Sequence, residues 1–216
     1  MLAVIAAAQG QGPRQGMAGV PAIQGVWKPV VGSGAVYEIT NDKQEKRLME
    51  ISVVGKESVE GKDAFWLEIG REDFRTGEMQ YAKTLLAPKE GNLVLQKTIV
   101  QFPGQPQPVE FSGEMRFPGR AERPPQPADI RKKAERVGSE SITVPAGTFT
   151  CEHWRMKDGT GGVWINDKIA PWGLVKTEGK ARSMVLTKTL SDVKTHITGT
   201  PVSGEEIMRQ RMQRPQ

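Results

Sequence analysis

The sequence predicts a mainly β protein: a curved antiparallel sheet or half-barrel of about nine to eleven strands in meander order, with one or two short helices. Three observations carry this. Apolar and polar residues alternate with period two over several stretches of strand length. Turn residues separate those stretches at short intervals. Glycine (24) and proline (15) are abundant enough to favour many turns over long helices.

Residues 1–33 are rich in Gly, Gln, Pro and Ala. They carry too little apolar surface to offset the entropy of ordering, so a disordered tail is expected there. Its first residues, MLAVIAAAQGQG, resemble the apolar core and cleavage end of a secretory signal without the basic start. A truncated signal and an exported protein are the expectation. No cysteine follows the apolar run, so no lipid anchor is expected.

A single β domain is expected over 34–198. AVYEIT opens it. RLMEISVVGKESVEGKDAFWLEIGRED then reads as a hairpin folded at Gly61. Met49, Ile51 and Val53 share one side of its first strand. Phe65, Leu67 and Ile69 share one side of the second, opposite Trp66 and Glu68. MQYAKTLLA and NLVLQKTIVQF form another hairpin across PKEG. Proline is dense over 103–127, which reads as an extended loop with a sheet edge near Val109–Phe111. ADIRKKAERV reads as a short helix over 128–137. ERVGSESITV and TFTCEHWRM flank a tight turn at PAG, and GGVWI, GLVKTEG and SMVLTKTL follow as further strands. In the tail over 199–216, flexible or helical, Ser203 and Glu206 have the spacing of a capping box.

The net charge of +5 is modest, and basic residues alternate with acids, so no nucleic-acid footprint is expected. No apolar run is long enough for a spanning helix. The single cysteine, Cys151, cannot form an internal disulfide. Cys151 and His153 point to one side of a strand, with Phe149. A zinc site needs three or four ligands, and the other histidine, His196, is remote in sequence. A Cys/His nucleophile pair on one strand is poorly oriented for proton transfer. Cys151 is expected to be a small buried hydrophobe, and His153 to sit at a strand edge. KDGTGG lacks the Lys-Ser or Lys-Thr of a phosphate loop and reads as a hairpin turn. No catalytic residue, metal or cofactor is predicted, and a non-enzymatic protein is expected.

Five tryptophans against two tyrosines place large apolar groups on both sides of several strands. Either a second layer covers the far face, or the sheet curves around an apolar pocket. The second possibility assigns Met49, Ile51, Val53, Phe65, Leu67, Ile69, Tyr81 and Leu85 as residues lining a ligand.

The series SITVPAGTFTCEHW, GGVWINDKIAPWGLVKTEG and MVLTKTL resembles uncharacterised exported β-proteins of bacteria that carry a VPAGTF turn. These are similar in layout to the lipoprotein-localisation-factor superfamily. The resemblance spans roughly 35–195 and is strongest over 141–178. It implies a curved, half-open sheet over an apolar cavity, a periplasmic or extracellular place, and a lipid or acyl chain as ligand. It assigns no catalytic residue. A structural or protein-interaction module of the envelope, with a protein partner and no ligand, is the alternative, and an enzyme using Cys151 and His153 a third.

Overall fold

The computed structural model describes residues 23–24, 27–73, 76–90, 92–102, 104–112, 128–129 and 134–212. Most of the expected N-terminal tail and of the 103–127 loop lies outside the described residues. Two-residue strands β1 (Ile23–Gln24) and β8 (Ala128–Asp129) pair in parallel. The rest of the β structure among the described residues is one twelve-stranded sheet.

Two meanders make up that sheet. The first is β2 (Gly34–Asn41), β3 (Lys46–Val59), β4 (Lys62–Glu72), β5 (Met79–Lys89), β6 (Asn92–Val100) and β7 (Val109–Ser112). The second is β9 (Ala134–Val144), β10 (Gly147–Met156), β11 (Gly161–Ile165), β12 (Leu174–Gly179) and β13 (Arg182–Leu190). They join where β13 pairs antiparallel with β2, Leu186 opposite Tyr37. The sheet is open, with β9 at one edge and β14 (Val202–Ser203), parallel to β7, at the other.

The β3–β4 hairpin turns at Glu60 and Gly61, both with positive φ (51° and 74°), the geometry of a twist-matched two-residue turn. Period-two alternation then fixes the faces: Ile51 lies opposite Ile69, and Val53 opposite Leu67. These four join the largest apolar cluster, together with Tyr37, Met49, Leu86, Cys151, Val163, Leu174 and Leu186. This side is the interior face. The Tyr37 hydroxyl donates to the Leu174 carbonyl at 3.1 Å, and burial raises its pKa well above the usual phenol range.

The opposite, outer face of β4–β6 has a cover of its own, neither helix nor second sheet. After β13 the chain crosses it as an irregular strap, residues 191–201. The Val193 amide donates to Gly32 O. Thr195 and His196 reach Glu68 on β4. Ile197 sits among Ala64, Trp66, Leu85, Ala87 and Ile99. The Val202 amide donates to Pro108 O. An extended segment of this length reaches roughly 36 Å. Seven strand spacings lie between β13 and β14, about 34 Å at ~4.8 Å each, so the strap has little slack. Helix α1 (Gly204–Met212) then rounds the edge. Val202 and Ile207 pack with Val100, Val109 and Phe111 on the interior side. The Glu206 amide donates to Ser203 Oγ at 3.5 Å, and Glu205 and Glu206 stand in the first turn, as the capping pattern predicted.

Two local expectations need correction. Of the helix expected over 128–137, residues 128–129 are strand β8, 130–133 lie outside the described residues, and 134–137 begin strand β9, because β9 pairs along its length with β10 and that ladder outweighs a weak amphipathic pattern. Pro88 lies within β5, opposite Leu93, and the turn follows it at Glu90.

Candidate ligand site

Six of the eight residues read as lining come together. Met49, Ile51 and Val53 on β3, and Phe65, Leu67 and Ile69 on β4, all belong to the interior cluster. Five of them are at most 8% exposed, while Phe65 is only partly covered. Tyr81 and Leu85 lie elsewhere. Tyr81 is opposite Gly70 and Leu85 opposite Trp66, which puts both on the outer face. Tyr81 stacks on His196 at 4.0 Å, and Leu85 packs beside Ile197 beneath the strap. The connection after β4 sets this register, and no periodicity within β5 reports it. Leu86, the next residue, falls on the interior face by alternation, opposite Phe65.

Phe65 stands beside two tryptophans that the sequence reading left out of the site. Trp27 meets Phe65 edge-on, with ring centroids 6.3 Å apart. Trp27 also lies against Trp172 at 5.4 Å, tilted by 42°. Trp27 comes from the stretch expected to be tail, but its neighbour Lys28 is tied down. The Lys28 amide donates to Pro171 O at 2.8 Å, and Lys28 Nζ pairs with Asp167 at 3.0 Å. The hydrogen bond and charge of Lys28 hold the Asp167 carboxyl below its usual pKa. Trp172 sits in the β11–β12 connection, which closes on itself: the Asn166 amide donates to Gly173 O, and the Gly173 amide to Ile169 O. Trp172 is 1% exposed. The excess of tryptophan was the one signal in the sequence that pointed here.

The indole N–H groups differ in one respect. Trp66 donates to Glu57 at 2.7 Å, Trp154 to Glu152 at 3.3 Å and Trp164 to Glu140 at 2.5 Å. Trp172 Nε1 has no partner, alone in this respect among buried side-chain nitrogens and oxygens of the described residues.

The candidate reactive groups are occupied. Burial, with the nearby Glu140 carboxylate adding to it, pushes the Cys151 thiol up to about 11, so it is protonated at neutral pH. Its Sγ faces Phe149 O at 3.7 Å. His153 stacks on Trp164 at 4.3 Å, and its Nδ1 lies 3.0 Å from Glu140. Glu140 accepts from the Trp164 N–H and stands beside His153 Nδ1, so one carboxylate contacts both stacked rings. His196 Nδ1 and backbone N–H both reach the buried Glu68 carboxylate, at 2.8 and 2.9 Å. Among the described residues, no three His, Cys, Asp or Glu side chains converge as metal ligands would.

The glycine-rich turn has a structural reason. Gly159 has φ +69°, and a Cβ on Gly161 would lie 1.7 Å from Glu178 O, so only glycine fits there. Beside this turn an open groove of 520 Å³ is lined by His153, Arg155, Trp164, Glu178 and Lys180, among others. Lys176 Nζ lies over the Trp164 ring at 4.9 Å, so that ring has neighbours already.

No family model matches the chain, and no curated protein matches it. Solved structures similar to it include a candidate lipoprotein of Parabacteroides distasonis, at 15% identity and TM-score 0.42, covering 77% of this chain and 99% of that one. A candidate exported protein with a YmcC-like fold from Bacteroides fragilis is similar at 12% identity and TM-score 0.41, with the same two coverages.

Proposed function

We propose that the chain is an exported, non-enzymatic protein that holds an apolar ligand, a lipid or acyl chain, against the interior face of its sheet. The observation that carries this reading is the alignment of Met49, Ile51, Val53, Phe65, Leu67 and Ile69 on one apolar face that ends in partly covered aromatics, Phe65 and Trp27. Each methylene moved from water onto such a face contributes roughly 0.8 kcal/mol, so even a short length of acyl chain would be retained. Export, to the periplasm or outside the cell, rests on the signal-like first residues and on the VPAGTF resemblance. No helix among the described residues is long and apolar enough to cross a membrane. The absence of catalysis is supported by the commitments of Cys151, His153 and His196 to packing and structural hydrogen bonds.

A second reading has its own support. Five of the six residues are closed off by the protein's own side chains, as in an envelope module that binds a protein partner and no ligand. One experiment separates the two. The protein is purified from its native host without detergent, analysed by native mass spectrometry, and extracted. A stoichiometric lipid supports the first reading. A protein that is empty, and stays empty when lipid is added back, supports the second. Phe65→Asp should abolish uptake while the protein stays folded; unchanged uptake would remove the site from this face.

A further inference from the structure

A buried indole N–H without an acceptor is costly, and native proteins seldom leave one. Three other tryptophans here have a glutamate each. Trp172 has none, although it is more deeply buried than Trp66 or Trp164. It also lies against the partly buried Trp27, which in turn touches the partly buried Phe65 of the interior face. An apolar wall and one unused donor therefore meet at one place.

We infer that Trp172 Nε1 donates to a carbonyl oxygen of the bound molecule, and that this molecule is a neutral, ester-linked acyl chain. This rests on the apolar-ligand reading and adds the ligand's polar group to it. The charge state follows from what surrounds the donor. A single neutral N–H among aromatic and aliphatic side chains satisfies one lone pair. A buried carboxylate would need a cation or several donors to offset the loss of hydration. The nearby cation, Lys28, is held at the surface by Asp167. An ester carbonyl is a good acceptor without charge. Trp27 lies over Trp172 and acts as the cover that the chain must pass.

The test is a binding cycle with three probes of one chain length: methyl decanoate, decanoate and decane. Each is titrated into the whole protein and into its Trp172→Phe variant, which keeps a ring and removes the N–H. The expected result is a preference for the ester over decane that falls about tenfold in the variant, with decanoate gaining nothing from the N–H. Infrared spectra of the unmodified protein give a second reading that needs no variant: the bound ester carbonyl should absorb at lower frequency than in an aprotic solvent. If ester and decane bind with the same ratio in both proteins and the carbonyl band is unshifted, the donor assignment fails while the apolar site stands, and the N–H is left to a water molecule. A larger loss for decanoate than for the ester overturns the neutral-ligand assignment. If none of the probes binds, the apolar-ligand reading falls and this inference with it.

Discussion

On the outer face of β4, Trp66 and Glu68 are covered by the chain's own strap, and each has partners. The Trp66 N–H donates to Glu57, and Glu68 accepts from the Thr195 hydroxyl, the His196 amide and the His196 ring. On the interior face of the same strand, Phe65 leads to Trp27 and then to Trp172, whose N–H has no partner. Both faces are apolar and both are covered. The difference is that one cover is completed by side chains of the protein, and the other stops one hydrogen bond short. Buried polar groups are normally all paired, and the proposed ligand would supply the acceptor that Trp172 lacks.

This contrast can be broken from either side. The largest effect is expected at Glu68. Glu68→Ala leaves the His196 amide and ring without their acceptor and the Thr195 hydroxyl with only Ile197 O, and should cost about 3 kcal/mol in urea unfolding. Hydrogen exchange should show faster exchange of the Ile197 amide in this variant. Ile197→Ala removes the strap's main apolar contact and should cost about 2–3 kcal/mol, with the Trp66 fluorescence moving toward that of exposed indole.

A smaller effect belongs to Cys151 and depends on pH. Its pKa is about 11 in the fold, raised from 9.0. The folded state thus favours the thiol over the thiolate. The stability it contributes is complete below pH 9 and is lost as pH rises from there through about 11, by roughly 2 kcal/mol in total. Alkylation of Cys151 by iodoacetamide should be very slow at pH 8 and accelerate toward the folded pKa. Fast alkylation at pH 8 would contradict its burial. The smallest effect is expected from Trp172→Phe, which removes an unpaired donor and keeps a ring; the unfolding midpoint should stay the same or rise slightly.

Much of the sheet was legible because strand alternation and turn residues are local signals. The turn at Gly61, the VPAG turn between β9 and β10, and the faces of Met49 to Val53 and Phe65 to Ile69 follow from neighbours in sequence. The site was only partly legible, because its other parts depend on pairing between distant segments. Tyr81 and Leu85 were misplaced because their face depends on the register that follows β4. The junction of β2 with β13, and the strap that ends in β14, join segments more than a hundred residues apart in one case and nearly so in the other. Trp27 sat in a stretch whose composition reads as tail, and its contact with Trp172 spans most of the chain. The missing acceptor of Trp172 is a property of three-dimensional surroundings and has no trace in a residue pattern.

The most direct measurement is the indole N–H resonance of Trp172 in a nitrogen-15 spectrum of the whole protein, assigned by its loss in Trp172→Phe, before and after addition of methyl decanoate. This resonance should move downfield and exchange more slowly with solvent on addition, while those of Trp66 and Trp164, already bonded to glutamates, stay nearly fixed. A Trp172 resonance that does not respond to the ester, at concentrations that saturate the protein, would contradict the donor assignment.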